Sequence, residues 1–418
     1  MSVKSWIQKI PGRLERKCRK PIRAITGKCI VACARQVVFQ GKRSWLLRVP
    51  GYSRLLRVML DVFRLLYYLP GLEVWKISNS RLNIVFAGTR EGLNYFRHLI
   101  GETGDALASM GWTSLLKISG KSNQWLDGGT DLVVVEASSL FSRFLRAPVK
   151  FVVPTWIEML LPFSEPLESI IAGTKKQSLR NVINRFRRDG YSFVYGRREE
   201  DFRTFYDQMY YPFTTQKHAE LASVRSFDVM YKMWGDKGGI LFIEKDGVKV
   251  AGALCFVFED SCYGIVLGLS DVTEDLYRRG ILSYIYWCTV QWGHAQGARQ
   301  LNMGETRPCA AQGPYPYKIK WGAKAALSRK GSLDYYFLAK DLKPSLQDRI
   351  NRQKMICKHN GSLHALFVQG SGQKVSAVEV RERFAQVETE GLRGIILAST
   401  IPPDAEIEAC VQYLQTGS

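Results

Sequence analysis

Two arginines and a glycine ahead of a long apolar run form the most chemically suggestive spacing in this chain. Tyr277-Arg278-Arg279-Gly280-Ile281 follows a strand pattern that ends at Leu269 and opens the run from Ile281 to Trp292. If that run is helical, its first N–H groups and positive dipole end face whatever lies beyond the strand, and Gly280 lets the backbone approach closely. Arg278 and Arg279 add charge, so the arrangement suits a phosphate. A second cationic stretch, Lys175, Lys176, Arg180, Arg185, Arg187 and Arg188, falls on one expected helix, Thr174–Asp189, closed by Gly190. A solvated face and a phosphate-binding surface both fit it.

The elements that must position these residues follow from periodicity. Ile240–Glu244, Val250–Phe258 and Cys262–Leu269 read as a strand meander, with Asp246-Gly247 as a hairpin signal. Gly280–Gln296 reads as a helix apolar on most of its circumference, ended by Gly297, and Arg299–Met303 as the next strand. Upstream, Leu82–Ala87, Ser114–Ile118 and Asp131–Glu136 are expected strands around a helix over Arg90–Met110, and a new stretch opens at Phe151–Pro154 and Trp156–Leu161. Asp201–Tyr211 is expected to be helical and Ser332–Leu338 a strand. The tail reads as strand His364–Val368, helix Ala377–Glu390, strand Gly394–Ala398 and helix Ala405–Leu414.

The order strand, hairpin, strand, strand, Arg-Arg-Gly, helix, strand over Ile240–Met303 resembles the GNAT acyltransferase superfamily, in which the loop before that helix holds the pyrophosphate of an acyl-CoA. Gly304-Glu305-Thr306 and Tyr317-Lys318-Ile319-Lys320-Trp321-Gly322-Ala323 are similar to the branch containing the Fem-type peptidyltransferases and the CelD/BioF2-like acetyltransferases. Tyr210–His218, with Ala219 and Ala222, looks like that branch's acceptor-side loop, and Arg180–Gly190 like its basic helix. The resemblance implies an α/β (α+β) fold class, a GNAT-like mixed sheet flanked by helices, as one GNAT unit or as a double GNAT arrangement. It implies acyl-CoA as donor co-substrate, held at Leu269, Ser270, Arg278, Arg279, Gly280 and Ile281, and acceptor contacts at Tyr211, Thr215 and Arg180. Lys318 would meet an anionic group or form a salt bridge inside the fold. One departure stands out: the superfamily's loop usually reads Arg/Gln-x-x-Gly-x-Gly/Ala, whereas this one has a single glycine. Aminoacyl-tRNA and acyl carrier protein therefore stand beside acyl-CoA as donors.

Acyl transfer asks the protein for positioning, an oxyanion donor and a proton carrier at each end. Backbone N–H groups near Gly268–Ser270 would meet the oxyanion. Glu305, Asp271 and His218 are candidate bases, and Tyr315 or Tyr317 the acid for the leaving group. Each also has an ordinary role: Glu305 as a solvated carboxylate, Asp271 as a turn or cap residue, His218 as a surface imidazole.

The 418 residues, 46% hydrophobic and 23% charged, exclude a disordered or collagen-like chain and a lone small module. The formal net charge of +21 calls for a polyanionic partner. Residues 1–75 hold 16 Lys/Arg against three acidic residues, a net of +13. Within them Tyr52–Leu69 places Arg54, Arg57, Asp61 and Arg64 on one helical stripe, with the rest largely apolar, which suits an anionic membrane surface or a helix docked on the protein's own core. No run is long enough to span a bilayer, and neither a transit peptide nor a secretion signal is expected. Nine cysteines with no CxxC pair, and five scattered histidines, predict free thiols and no metal site.

The expected division is a basic segment 1–75, a first α/β half at 80–190, a GNAT-like domain at 191–342 and a βαβα lobe at 343–418. The resulting expectation is a cytoplasmic enzyme, peripheral on the inner membrane face, acylating an amine or hydroxyl of a small-molecule, cell-envelope or lipid-linked acceptor. The alternatives are an aminoacyl-tRNA-dependent Fem-type transferase and a non-catalytic nucleic-acid- or membrane-binding protein that uses the basic arm.

Overall fold

The computed structural model describes residues 72–399 and 411–415, apart from 79–81, 102–105, 139–144, 146–148, 173–175, 219–223, 225, 271–273, 312, 329–332, 370–375 and 388. The basic segment up to residue 71, including the expected Tyr52–Leu69 helix, lies outside the described residues, and Leu72–Trp75 already belong to the first strand.

Two mixed sheets carry the fold. In chain order the strands are β1 Leu72–Ser78, β2 Asn83–Gly88, β3 Ala106–Thr113, β4 Leu132–Ala137, β5 Val149–Pro154, β6 Ile157–Pro162, β7 Ser192–Gly196, β8 Gly238–Lys245, β9 Val248–Phe258, β10 Ser261–Leu269, β11 Gln300–Thr306, β12 Lys324–Leu327, β13 Asp334–Leu338, β14 Ile356–His359, β15 Ser362–Val368, β16 Leu392–Ser399 and β17 Val411–Gln415. The helices are α1 Arg90–Leu99, α2 Leu115–Asp127, α3 Gln177–Arg188, α4 Glu199–Phe205, α5 Tyr211–His218, α6 Phe227–Trp234, α7 Glu274–Arg278, α8 Ile281–Ala295, α9 Pro314–Trp321, α10 Pro344–Gln353 and α11 Ala377–Ala385. A π-helical turn, Tyr206–Tyr210, joins α4 to α5.

The first sheet has the order β17-β16-β15-β14-β5-β13-β4-β2-β1-β3, the second β12-β6-β11-β10-β9-β8-β7. The chain leaves the ten-stranded sheet at Pro154 and returns to it at Asp334, so strands from 80–190, 191–342 and 343–418 all meet there. Thr155 and Leu333 close this crossing: the Thr155 hydroxyl donates to the Leu333 carbonyl at 2.6 Å. Everything from Ile157 to Leu327 builds the seven-stranded sheet and its helices.

Three expected elements are corrected. The helix from Arg90 stops at Leu99, where Gly101 takes φ +74°, and the chain returns as strand β3. Ser114–Ile118 is the start of helix α2 with Ser114 at its N-cap, because a serine ahead of Leu115 starts a helix better than it continues a strand. At the C-terminus Val411–Gln415 is a strand parallel to β16, its backbone paired residue by residue with Ile395–Ser399, and the rest of the expected helix lies outside the described residues.

One apolar core runs through the seven-stranded sheet, with Trp287, Trp321, Phe186 and Ile281 fully buried, and continues into Leu363, Phe367, Ile395 and Leu397 of the other sheet. The two sheets are thus locked together behind α9. Tyr315 on that helix donates its hydroxyl to the Val387 carbonyl at 3.2 Å, and Thr389 to the Ala323 carbonyl at 2.7 Å.

Candidate active site

The site grows from a failure of two parallel strands to stay together. β10 and β11 are registered only at Ser261–Gln300, Cys262–Leu301 and Tyr263–Asn302, after which β10 runs on to Leu269 and β11 to Thr306. Both strands bend where they part. β10 bulges between Gly264 and Val266, and β11 between Asn302 and Glu305, where Gly304 takes φ +81°. Asn302 fixes that bend by accepting the Gly304 N–H at 2.8 Å. Beside β10, the π-helical turn comes so near that a Cβ on Gly268 would lie 2.7 Å from the Met209 carbonyl carbon and Tyr210 nitrogen.

Helix α8 starts at this mouth. Gly280 caps it in the left-handed region at φ +90°, without a side-chain cap, and its first turn holds no acidic residue. Ile281 is fully buried and anchors the first turn in the core. The terminus keeps the polarity that favours an anion.

The two arginines of the loop behave differently. Arg278 is exposed at the end of α7. Arg279 turns back onto α3, where it pairs with Asp189 and lies 5.5 Å from the Phe186 ring centre, while Arg185 donates to its backbone carbonyl. The α3 cations are thus partly spent on the fold; Arg187 lies 5.0 Å from the Trp287 ring and 3.8 Å from Glu168, and Arg180 donates to Gln177.

Leu269 is buried at the end of β10. The N–H and the hydroxyl of Ser270 both reach the Val250 carbonyl at 3.1 Å, so this N–H is occupied within the protein. Asp271 lies outside the described residues. His218 ends α5, on the helix that also carries Tyr211, 49% exposed, and Thr215, whose hydroxyl returns to the Tyr211 carbonyl at 2.8 Å. Phe213 on the same helix meets Tyr277 of α7 at 6.2 Å between ring centres, bringing α5 against the segment that carries Arg278 and Arg279.

Across the mouth, α9 separates the two candidate tyrosines. Tyr315 is buried and committed to Val387. Tyr317 faces α8, and its hydroxyl lies 3.0 Å from that of Ser283, one turn inside the α8 N-terminus. Burial pushes its phenol above the ordinary value, with Ser283 opposing, so it stays protonated at neutral pH. Ser283 is not among the residues the sequence singles out; its signal is a hydroxyl in the first turn of the helix, three residues past Gly280.

Lys318, one residue on, is buried and meets neither an anion nor a carboxylate: it donates to the carbonyls of Gly304 and Glu305 at 3.0 and 3.1 Å. Burial lowers its pKa to about 8, against the pull of nearby Glu305. Its work is to hold the β11 bend. The Glu305 carboxylate is half-buried and accepts the Ser328 hydroxyl at 2.7 Å, on the strand end where the mouth opens.

Residues 173–319, which span this whole arrangement, match the family of acetyltransferase (GNAT) domains. The chain carries a GNAT acyltransferase domain. No curated protein matches it. Among solved structures, L-PGS from Bacillus licheniformis is 16% identical with a TM-score of 0.35, over 65% of this chain and 86% of that one. The C-terminal domain of a putative lysylphosphatidylglycerol synthetase from Agrobacterium fabrum is 13% identical with a TM-score of 0.33, over 66% and 86%. FemX is 11% identical with a TM-score of 0.34, over 65% and 90%.

Within the GNAT domain the parted strands, the α8 terminus and the Tyr317–Ser283 hydroxyl pair are chemically able to offer a slot, an anion site and an acid. No group of His, Cys, Asp or Glu able to hold a metal occurs among the described residues. Cys255, Cys262, Cys288, Cys309 and Cys357 are buried free thiols. No described helix is long and apolar enough to cross a membrane.

Proposed function

We propose that this GNAT domain moves an acyl group from acyl-CoA, or another acyl carrier, to an amine or hydroxyl of a cell-envelope or lipid-linked acceptor at the cytoplasmic membrane face. The observation that carries the reading is the β10/β11 mouth set beside a glycine-led, acid-free helix terminus, with the Tyr317 and Ser283 hydroxyls 3.0 Å apart at its rim. The donor's phosphates would lie against the N-termini of Ile281 and Leu282 with Arg278, and its acyl arm between the strands.

The acceptor's nitrogen or oxygen attacks the acyl carbon, the C–N or C–O bond forms and the C–S bond breaks. Tyr317 gives its proton to the departing thiolate, with Ser283 orienting the phenol. Glu305 takes the proton that the acceptor loses. Proton transfers of this kind contribute about 10²–10⁴-fold each. Tyr211 and Thr215 border the acceptor, and the basic residues 1–75 bring the enzyme to an anionic membrane.

A second reading, an aminoacyl-tRNA donor, is favoured by one observation: Arg279 is held by Asp189 and so contributes less to a compact pyrophosphate site than its position suggests. The deciding experiment is thermal denaturation titrated with acetyl-CoA, longer acyl-CoAs and free CoA. A ligand that binds only the folded chain stabilises it by about 2.7 kcal/mol at a hundredfold excess over its Kd. A shift that depends on acyl length supports the CoA donor. Absence of any shift overturns it in favour of aminoacyl-tRNA or an acyl carrier protein.

A further inference from the structure

Past the end of β11 the chain presents a guanidinium that the reaction above does not use. Arg307 follows Thr306, and because Thr306 is registered with Ile157, it emerges beside Trp156, the residue before β6. The side chain is half-buried, and among the described residues no carboxylate pairs with it. Its contacts are a long hydrogen bond to the Tyr95 carbonyl, 3.4 Å, and the face of the Tyr95 ring at 4.9 Å. A half-buried cation without a counter-charge loses part of its hydration uncompensated, and proteins often pair it.

The surroundings hold the guanidinium still. Tyr95 is fixed edge-on against Trp156 at 5.1 Å and donates its hydroxyl to Glu91 at 2.9 Å. On the other side the backbone after Arg307 is tied to the C-terminal strands: Ile356 N–H donates to the Pro308 carbonyl at 2.9 Å and Ala310 N–H to that of Lys354 at 3.0 Å. Charges of both signs stand near: Glu91 at the Tyr95 hydroxyl, and Arg97 and His98 on the same helix. His98, one turn beyond Tyr95 on α1, has its pKa lowered first by burial and then by Arg307 and Arg97. A stacked guanidinium whose hydrogen bond within the protein is one long contact to a carbonyl matches a planar carboxylate or a phosphate.

We propose that Arg307, with Tyr95 and Trp156 as walls, binds an anionic group, a phosphate ester or carboxylate, of the acyl acceptor. The placement rests on the reading above, since Arg307 stands two residues past Glu305, on the strand end where the acceptor meets the acyl carbon. The site lies apart from the α8 terminus, so the acceptor's anion and the donor's phosphates are held by different elements.

The test titrates the full-length chain, Arg307→Lys and Arg307→Gln with inorganic phosphate and, separately, with acetate, following the thermal midpoint, and measures acetyl-CoA stabilisation in each. Saturable stabilisation of the wild type is expected, with half-saturation about tenfold or more weaker in Arg307→Gln and intermediate in Arg307→Lys, the loss expected for a charged hydrogen-bonding group. A response to phosphate alone assigns a phosphate ester, and one to acetate alone a carboxylate. Equal responses in all three proteins, or none, overturn the proposal. Should Arg307→Gln not fold, protection of Arg307 from phenylglyoxal by phosphate or acetate in the wild type, read by peptide mapping, decides it in the same sense. Loss of the acetyl-CoA response with the Arg307 response intact would remove the donor reading and leave the anion site; the reverse pattern removes only the anion site.

Discussion

Two parallel strand pairs, β2/β4 in the ten-stranded sheet and β10/β11 in the seven-stranded one, each lie beside a helix N-terminus, and the molecule treats those termini in opposite ways. At β2/β4 the pairing holds from Ile84–Leu132 to Ala87–Val135, and α1 follows with Thr89 at its N-cap. Buried Glu136, from β4, accepts both the N–H and the hydroxyl of Thr89 at 2.7 Å. Its carboxyl fills the space beside Gly88 and Gly92, where any Cβ would collide with it. At β10/β11 the pairing ends early and the terminus of α8 has Gly280 and no acidic side chain. At the α1 terminus the fold supplies a carboxyl group of its own; at the α8 terminus it supplies none in the first turn.

The contrast can be tested from its strongest point downward. Tyr317→Phe should lower acyl transfer, followed as thiol release from acetyl-CoA, by about 10²-fold or more while leaving donor affinity near the wild-type value. An unchanged turnover number would remove Tyr317 from the chemistry.

Gly280→Ala places a side chain at φ +90° and a Cβ 3.1 Å from Val182. Stability should fall by about 1–2 kcal/mol from the backbone alone, and the acyl-CoA shift should shrink with it. Full retention of both would mean that the α8 terminus does not need glycine.

Glu136→Gln probes the closed half. Burial raises the Glu136 pKa to about 7 from its ordinary value of about 4.5, against the lowering effect of its Thr89 hydrogen bonds. The folded chain therefore holds a proton that the unfolded chain releases first. The carboxyl's favourable contribution is complete below about pH 4.5 and is lost as pH rises through about 7. Urea denaturation across that window should show wild-type stability falling with pH relative to Glu136→Gln. A constant difference between the two would mean that the carboxyl is not buried as described.

Smallest is Arg279→Ala. Its pair with Asp189 is about one-third exposed on both sides, so the stability change should be within about 1 kcal/mol, and acyl-CoA affinity should drop less than for Arg278→Ala. The opposite ranking would return Arg279 to the phosphates.

The meander Ile240–Leu269, the α8 helix and the glycine at its head were legible because they rest on local periodicity and on a turn residue with one favoured conformation. The direction of Arg279 was not, since Asp189, ninety positions away, decides it. Lys318 read as a cation in search of an anion, yet two carbonyls of a strand bulge claim it, and a bulge leaves little trace in a sequence. Glu136 read as the last residue of a strand; nothing near it in the chain says that it would cap a helix from the neighbouring strand. The ten-stranded sheet was hidden for the same reason, because β5, β13 and β14 come together from distant parts of the chain.

The hydrogen bond from Thr155 to Leu333 spans 178 positions. During synthesis the N-terminal strands emerge first yet cannot be completed until β13 arrives, and by then all of Ile157–Leu327 has been made. The acyltransferase unit can therefore gather its own sheet while β4 and β5 still lack the strand that joins them, and its folding brings the two ends of the gap together. Closing a loop of this length on a flexible chain would be slow, whereas a folded insert has already brought its ends near. Completion of the ten-stranded sheet therefore depends on strands from both sides of the insert, β4 and β5 before it and β13 after it.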